Sequence, residues 1–207
     1  MASRDRVEVV ATVLLSVAAV ATAWSSYQAT RWNGEQAKAA SRTNAIRIDA
    51  ARAQGLAEAQ TQVDVATFTS WVDAYAREET VLADFYFKRF RAEFKPAVDA
   101  WVAERPLRNP NAALTPFAMP QYRLEATAEA ERLDAEAEAS AAIVQRNIQR
   151  ASNYVLAVVL FAASLFFAGL STKLGDRRLR QITVALGCVV FLGTAIWVAT
   201  SPVSLTV

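Results

Sequence analysis

Histidine is absent from the 207 residues and cysteine occurs once, at Cys188. Without imidazole there is no Ser-His or Cys-His catalytic pair, and most metal sites lose their usual ligand set. A single cysteine excludes an intramolecular disulfide framework and, in the middle of an apolar run, reads as a small buried side chain. Helix breakers are scarce: between Glu35 and Lys95 the only glycine is Gly55 and there is no proline. No segment alternates polar and apolar residues as a half-buried strand does.

What is present is largely hydrophobic. Apolar residues make up 54% of the chain and mean hydropathy is positive, against roughly 45–50% apolar for a soluble domain. The excess requires a membrane or an unusually large core. Val9 to Thr30, Ala151 to Thr172 and Ile182 to Val207 carry no charge, and each matches the about 20 apolar residues that cross a bilayer as a helix. The pattern predicts an all-α membrane protein with three transmembrane helices and an extramembrane antiparallel helical bundle inserted between the first and second. Its parts are an N-terminal transmembrane helix (1–27), an extracytoplasmic helical domain (28–152), a transmembrane hairpin (153–200) and a short outer tail (201–207).

Charge orients the spans. Segment 28–152 holds 16 basic and 17 acidic residues, and the N-terminal tip (Arg4, Asp5, Arg6, Glu8) is neutral. The short turn 173–181, with Lys173, Arg177, Arg178 and Arg180 against Asp176, is therefore the site of the whole net charge of +2. Short basic loops stay in the cytoplasm, which puts this turn and the N-terminus inside and 28–152 and the C-terminus outside. Trp24, Tyr27, Trp32, Tyr154 and Trp197 then all fall at the outer interface, where amphipathic rings prefer to sit. A cleaved signal peptide over Met1 to Ala23 is the competing reading, through Arg4, Arg6 and Ala21-Thr22-Ala23. The apolar stretch is long for a signal, so a retained span is expected.

Ala, Glu, Gln and Arg dominate the outer segment and favour helix. Ala37, Ala45, Ile48, Ala51, Leu56, Ala59, Val63 and Ala66 share one side of a helix leaving the first span. A second, aromatic stripe (Phe68, Trp71, Tyr75, Leu82, Phe85, Tyr86, Phe90, Phe94) lies roughly opposite if that helix continues. With Val63, Val65, Thr67 and Thr69 forming a β-branched cluster, the expectation is that the helix ends near Val65 to Ser70 and a new one starts. Pro96 suits the first turn of a short helix to Glu104, and Pro106, Pro110, Pro116 and Pro120 make 105–121 an extended connection. Ala126, Ala130, Leu133, Ala137, Ala141, Val144 and Ile148 form a returning seam, the counterpart of Ile48, Ala51 and Ala59.

Chemistry-bearing clusters have plain readings. Glu125, Glu129, Glu131, Asp134, Glu136 and Glu138 spread around a helix without a glycine-turned ligand loop, so they read as a solvated face and not a cation site. Lys88, Arg89, Arg91 and Lys95 interleave with Phe87, Phe90 and Phe94; outside the cytoplasm this is the basic edge of a core helix, or a lipid-headgroup contact, and not a nucleic-acid surface. No span has an ionisable residue at its centre, which argues against a coupled pump. No catalytic, cofactor-binding or metal residue is assigned.

Ala23-Trp24-Ser25-Ser26-Tyr27-Gln28-Ala29, the segment Asn109-Pro110 to Pro116-Phe117-Ala118-Met119-Pro120, and Asn153-Tyr154-Val155-Leu156 to Phe166-Phe167-Ala168-Gly169 before a basic turn resemble an uncharacterised family of small bacterial inner-membrane proteins. The resemblance spans nearly the whole chain and implies a bacterial envelope location, with no activity attached. The expected function is a non-enzymatic membrane protein whose partners are the lipid bilayer, a second copy of itself or another envelope protein. Small residues at four-residue spacing in the spans fit self-association. Alternatives are a passive pore lined by Thr12, Ser16, Thr22, Ser25 and Ser26, and an outward ligand sensor that signals through a membrane partner.

Overall fold

The computed structural model describes residues 2–204, with side chains from Arg6 onward; the side chains of Arg4 and Asp5 and the tail end 205–207 lie outside that description. In chain order the elements are α1 (Ala2–Ala76), α2 (Thr80–Phe87), α3 (Lys95–Ala103), a 3-10 turn (Pro116–Ala118), α4 (Glu125–Ser171) and α5 (Arg177–Ala199). Every regular element among the described residues is helical. Three of them, α1, α4 and α5, are long and apolar enough to cross a membrane.

The expected helix end at Val65 to Ser70 does not occur, and α1 continues to Ala76. The hydroxyl-bearing residues that argued for a break instead bond into the helix. Thr67 and Thr69 donate to the carbonyls of Val63 and Val65, both at 2.8 Å, and Ser70 donates to that of Ala66 at 3.0 Å. Side-chain bonds to the preceding turn are a normal way for Ser and Thr to sit inside a helix. The helix stops where Glu78 takes φ 61 and the Glu79 N–H closes on the Ala74 carbonyl at 3.0 Å, a left-handed ending of the kind that terminates many helices. At the start of α5, Asp176 accepts from the N–H groups of Arg178 (2.7 Å) and Leu179 (3.1 Å), a side-chain cap worth about 1 kcal/mol.

The chain divides into two compact units, 1–42 with 140–207 and 43–139. In the first, α1 buries Ala11, Leu14, Ala18, Ser25, Gln28 and Trp32, and α4 buries Ser140, Asn147, Ala151, Tyr154, Phe161 and Ala168. These positions advance by three, four or seven, the 3.5-residue period that keeps a seam on one line between coiling helices. The α5 helix joins them at Gly187, where an added Cβ would lie 3.3 Å from Leu14, Phe167 and Ser164 alike.

In the second unit α1 buries Thr43, Ala50, Ala57 and Asp64, again seven apart, and α4 buries Ala126, Ala130 and Ala137. Ala57 packs with Leu124 and Ala126. The expected aromatic helix is instead distributed over four segments. Phe68 and Trp71 from α1, Phe87 and Phe90 from α2 and the turn after it, Phe94, Val98 and Trp101 at α3, and Phe117, Met119 and Tyr122 from the loop make one core. Phe94 stacks on Phe117 at 4.9 Å with its edge toward Tyr122 at 5.6 Å, geometries that add to plain burial. The connection 105–121 is folded into turns, not extended. Trp101 Nε1 donates to the Ala113 carbonyl at 2.7 Å, and the Ala113 N–H donates to Glu104 at 2.9 Å. Because α2 and α3 are short, this loop has no long helix to travel back along.

Candidate functional site

The five expected interface aromatics divide into two groups. Trp24 and Tyr27 are exposed, ring to ring at 5.9 Å, and Trp197 is half-buried. Trp32 and Tyr154 are buried together with Ala29 and Ala151. Both rings use their polar ends on the backbone that follows α5. Trp32 Nε1 and Tyr154 OH donate to the Pro202 carbonyl at 3.3 and 3.1 Å. Beside them Gln28, fully buried, grips Ser204 through both backbone groups: Gln28 Nε2 donates to the Ser204 carbonyl (3.4 Å) and the Ser204 N–H donates to Gln28 Oε1 (3.0 Å). The first residues of the tail are thus held by α1 and α4. Nothing local in the sequence pairs Gln28 with a residue 176 positions away.

In the basic turn, Lys173, Arg177 and Arg178 are exposed. Arg180 differs, with its side chain 12% exposed and Nη2 3.7 Å from Glu8. Of the candidate pore hydroxyls, Thr12, Ser16 and Ser26 are exposed, Thr22 is half-buried and Ser25 is buried.

Of the expected seam residues on α4, Ala126, Ala130 and Ala137 are buried, and Leu133, Ala141 and Val144 are half-buried. On α1, Ile48, Ala51 and Ala59 face outward; the packed side is that of Thr43, Ala50, Ala57 and Asp64.

The second unit contains a buried polar cluster that the sequence reading missed. Asp64 is fully buried, and its Oδ2 accepts from Arg91 Nη1 at 2.8 Å and from Tyr122 OH at 3.2 Å. Tyr122 OH also lies 3.3 Å from Thr61 Oγ1. Arg91 pairs in addition with Glu93, whose other oxygen accepts the N–H of Glu125 at 3.0 Å. Burial raises the Asp64 carboxyl above its ordinary value, opposed by Arg91 and the Tyr122 hydrogen bond. Burial likewise raises the Tyr122 hydroxyl. Charge and hydrogen-bonding capacity are largely exhausted inside this cluster, with one oxygen, Asp64 Oδ1, left buried and unpartnered.

The remaining charged clusters are tied locally. Arg132 forks onto Glu129 at 2.7 and 2.8 Å, which lowers the Glu129 carboxyl. Lys88 pairs with Asp84, while Arg89 and Lys95 cover the rings of Phe85 and Phe87. Among the described residues no three Asp, Glu or Cys side chains are grouped to hold a metal ion.

Against protein families, curated proteins and solved structures, the chain has no match. Any functional reading therefore rests on its own residues.

Proposed function

We propose that this chain is a non-enzymatic integral protein of the bacterial inner membrane whose segment 28–152 lies outside the cytoplasm and mediates assembly, with a second copy or with another envelope component. In this reading the N-terminus and the basic turn 173–181 are cytoplasmic, and 28–152 is an antiparallel helical bundle between the first and second spans. Support for the bundle comes from the seven-residue burial steps on α1 and the contact of Ala57 with Leu124 and Ala126.

One observation carries the reading. Ile48, Leu56 and Val63 are 54%, 54% and 51% exposed, and at about 100° per residue they fall within a quarter of the helix circumference. Ala59 lies between them and Ala66 continues the same face, opposite the packed side, with the exposed Arg52 standing between Ile48 and Leu56. Neighbouring apolar side chains without cover, on a segment in water, mark an interaction surface. Size-exclusion chromatography with light scattering and crosslinking in native membranes tests this, with Leu56→Glu/Val63→Glu as the variant. Wild-type protein is expected to form an oligomer or a crosslinked complex that the variant weakens. A strictly monomeric wild type with no crosslinked neighbour contradicts it.

A second reading, a passive pore subunit, is favoured by a different face. Thr12, Ser16, Ala19, Ala23, Ser26 and Thr30 are all exposed on α1 and advance by four and three. The Thr12, Ser16 and Thr30 hydroxyls donate to carbonyls four residues earlier at 2.9, 3.0 and 3.1 Å, which leaves their oxygens free to accept from a permeant molecule. Small residues at this spacing also let helices of neighbouring copies approach closely. Absence of current in reconstituted bilayers under every ionic and osmotic condition removes the pore.

A further inference from the structure

The segment 105–121 holds two arginines and no acidic residue, and it leaves two leucines bare: Leu107 is 86% exposed and Leu114 94%. Arg105 and Arg108 beside Leu107 are exposed as well. Hydrogen bonds fix the loop in this form. Asn109 Nδ2 donates to the Glu104 carbonyl at 3.3 Å, the Arg108 N–H to the Arg105 carbonyl at 2.8 Å, and the Ala113 N–H to the Glu104 carboxylate at 2.9 Å. A loop already held in one shape gives up little freedom on binding, and bare leucines on a segment in water gain from being covered.

The same unit carries a surface of opposite character. Lined by α1, α4 and the turn that holds Glu93 is an open depression of about 590 Å³, room for several side chains, with Ala53, Leu56 and Ala126 as its apolar part and Glu93, Glu125 and Glu129 as its carboxylates. Among the described residues Arg132 alone adds a cation to this lining, and it is already forked onto Glu129. The depression thus sets three carboxylates against one guanidinium, and the loop two guanidinium groups against no carboxylate. The chain's own loop does not fill the depression, since Leu107 and Leu114 stay exposed.

We infer that loop 105–121 of one copy docks into this depression on a second copy, with Leu107 and Leu114 against Leu56 and its alanine neighbours and with Arg105 and Arg108 toward Glu125 and Glu129. The inference rests on the assembly reading above and names its partner. Two different surfaces meet, so each copy gives a loop and receives one. Apolar contact supplies the affinity, and the opposed charges set the register and reject wrong partners.

The test uses the full chain in a Cys188→Ala background. Two differently tagged copies, one with Leu114→Cys and the other with Leu56→Cys, are co-expressed and oxidised in native membranes. A disulfide joining the two tags is expected; an oligomeric chain without it, or a link from position 114 to a protein of another mass, overturns the docking. Light scattering in detergent then compares variants whose helix content by circular dichroism matches wild type. Leu114→Ser should weaken association about tenfold, the least that burial of a leucine corresponds to. Arg105→Glu/Arg108→Glu should weaken it at least as much, because like charges are brought together. Adding Glu125→Lys/Glu129→Lys to that chain makes the signs opposite again and should recover association. Association unchanged by Leu114→Ser and by the loop reversal, or not recovered by the second reversal, contradicts this inference alone. A strictly monomeric wild type with no crosslinked neighbour contradicts the assembly reading beneath it.

Discussion

Trp32 on α1 and Tyr154 on α4 donate to one and the same acceptor, the carbonyl oxygen of Pro202, at 3.3 and 3.1 Å. With Gln28 holding Ser204, Pro202 and Ser204 become part of the packed unit. Tyr154→Phe removes one donor and is expected to lower stability by about 1 kcal/mol. Gln28→Ala leaves both backbone groups of Ser204 without their partner in a buried place and should cost more, about 1–3 kcal/mol. Thermal unfolding of the full chain in detergent checks the order. Equal melting temperatures for wild type and Gln28→Ala would show that the tail is not held this way.

At Gly187 on α5, Leu14 of α1 and Phe167 and Ser164 of α4 each come within 3.3 Å of the position of an added Cβ. Gly193, later on the same helix, has nothing within 4 Å of its own. Gly187→Leu is expected to destabilise by about 1–3 kcal/mol through overpacking, while Gly193→Leu stays within about 0.5 kcal/mol of wild type. The comparison in one detergent isolates packing from the general effect of adding a side chain.

Arg91 is the counterion of the fully buried Asp64. Removing it strands a carboxylate in the second unit, so Arg91→Ala should cost about 3–5 kcal/mol. Asp64→Asn should cost less, because Arg91 keeps Glu93. Chemical denaturation of the two variants reads the difference, and a milder effect for Arg91→Ala than for Asp64→Asn would contradict the burial argument.

The same carboxyl has a defined pH signature. Its native value is raised above the ordinary 3.8, with burial the largest cause, so the folded state holds the proton more tightly than the unfolded chain. The stabilisation linked to this group is present below the unfolded value and is lost as pH rises through the raised native one. Wild type should therefore gain stability relative to Asp64→Asn as pH falls from neutral toward 4. Denaturation midpoints across that window measure it, and a wild-type advantage that shrinks on acidification would reverse the sign.

The parts of this molecule that are readable in sequence are those written in hydrophobicity and charge over short range. The three uncharged runs, the Asp176 turn and the α4 seam from Ala126 to Ala137 belong to this group. Past Ala137 the seam passes through Ser140 and Asn147, and a search for apolar residues slides instead to Ala141 and Ile148. On α1 the same bias selects Ile48, Ala51 and Ala59, whereas the buried side uses Thr43 and Asp64, since closely packed helices need small or well-partnered residues and not only greasy ones. The β-branched cluster at Val63 to Thr69 carries a helix-breaking signal that the Thr and Ser side chains cancel by bonding backward. Asp64 with Arg91, and Gln28 with Ser204, are meetings of distant positions with no local trace.

The most direct test of the proposed topology is sidedness. In a Cys188→Ala background, Asn111→Cys and Gly175→Cys are both at exposed positions and are treated in intact cells with a membrane-impermeant maleimide. Labelling at 111, with 175 reached only after the membrane is opened, is the expected result. Labelling at 175 with 111 protected in intact cells would invert the arrangement and remove the basis for assembly outside the cytoplasm.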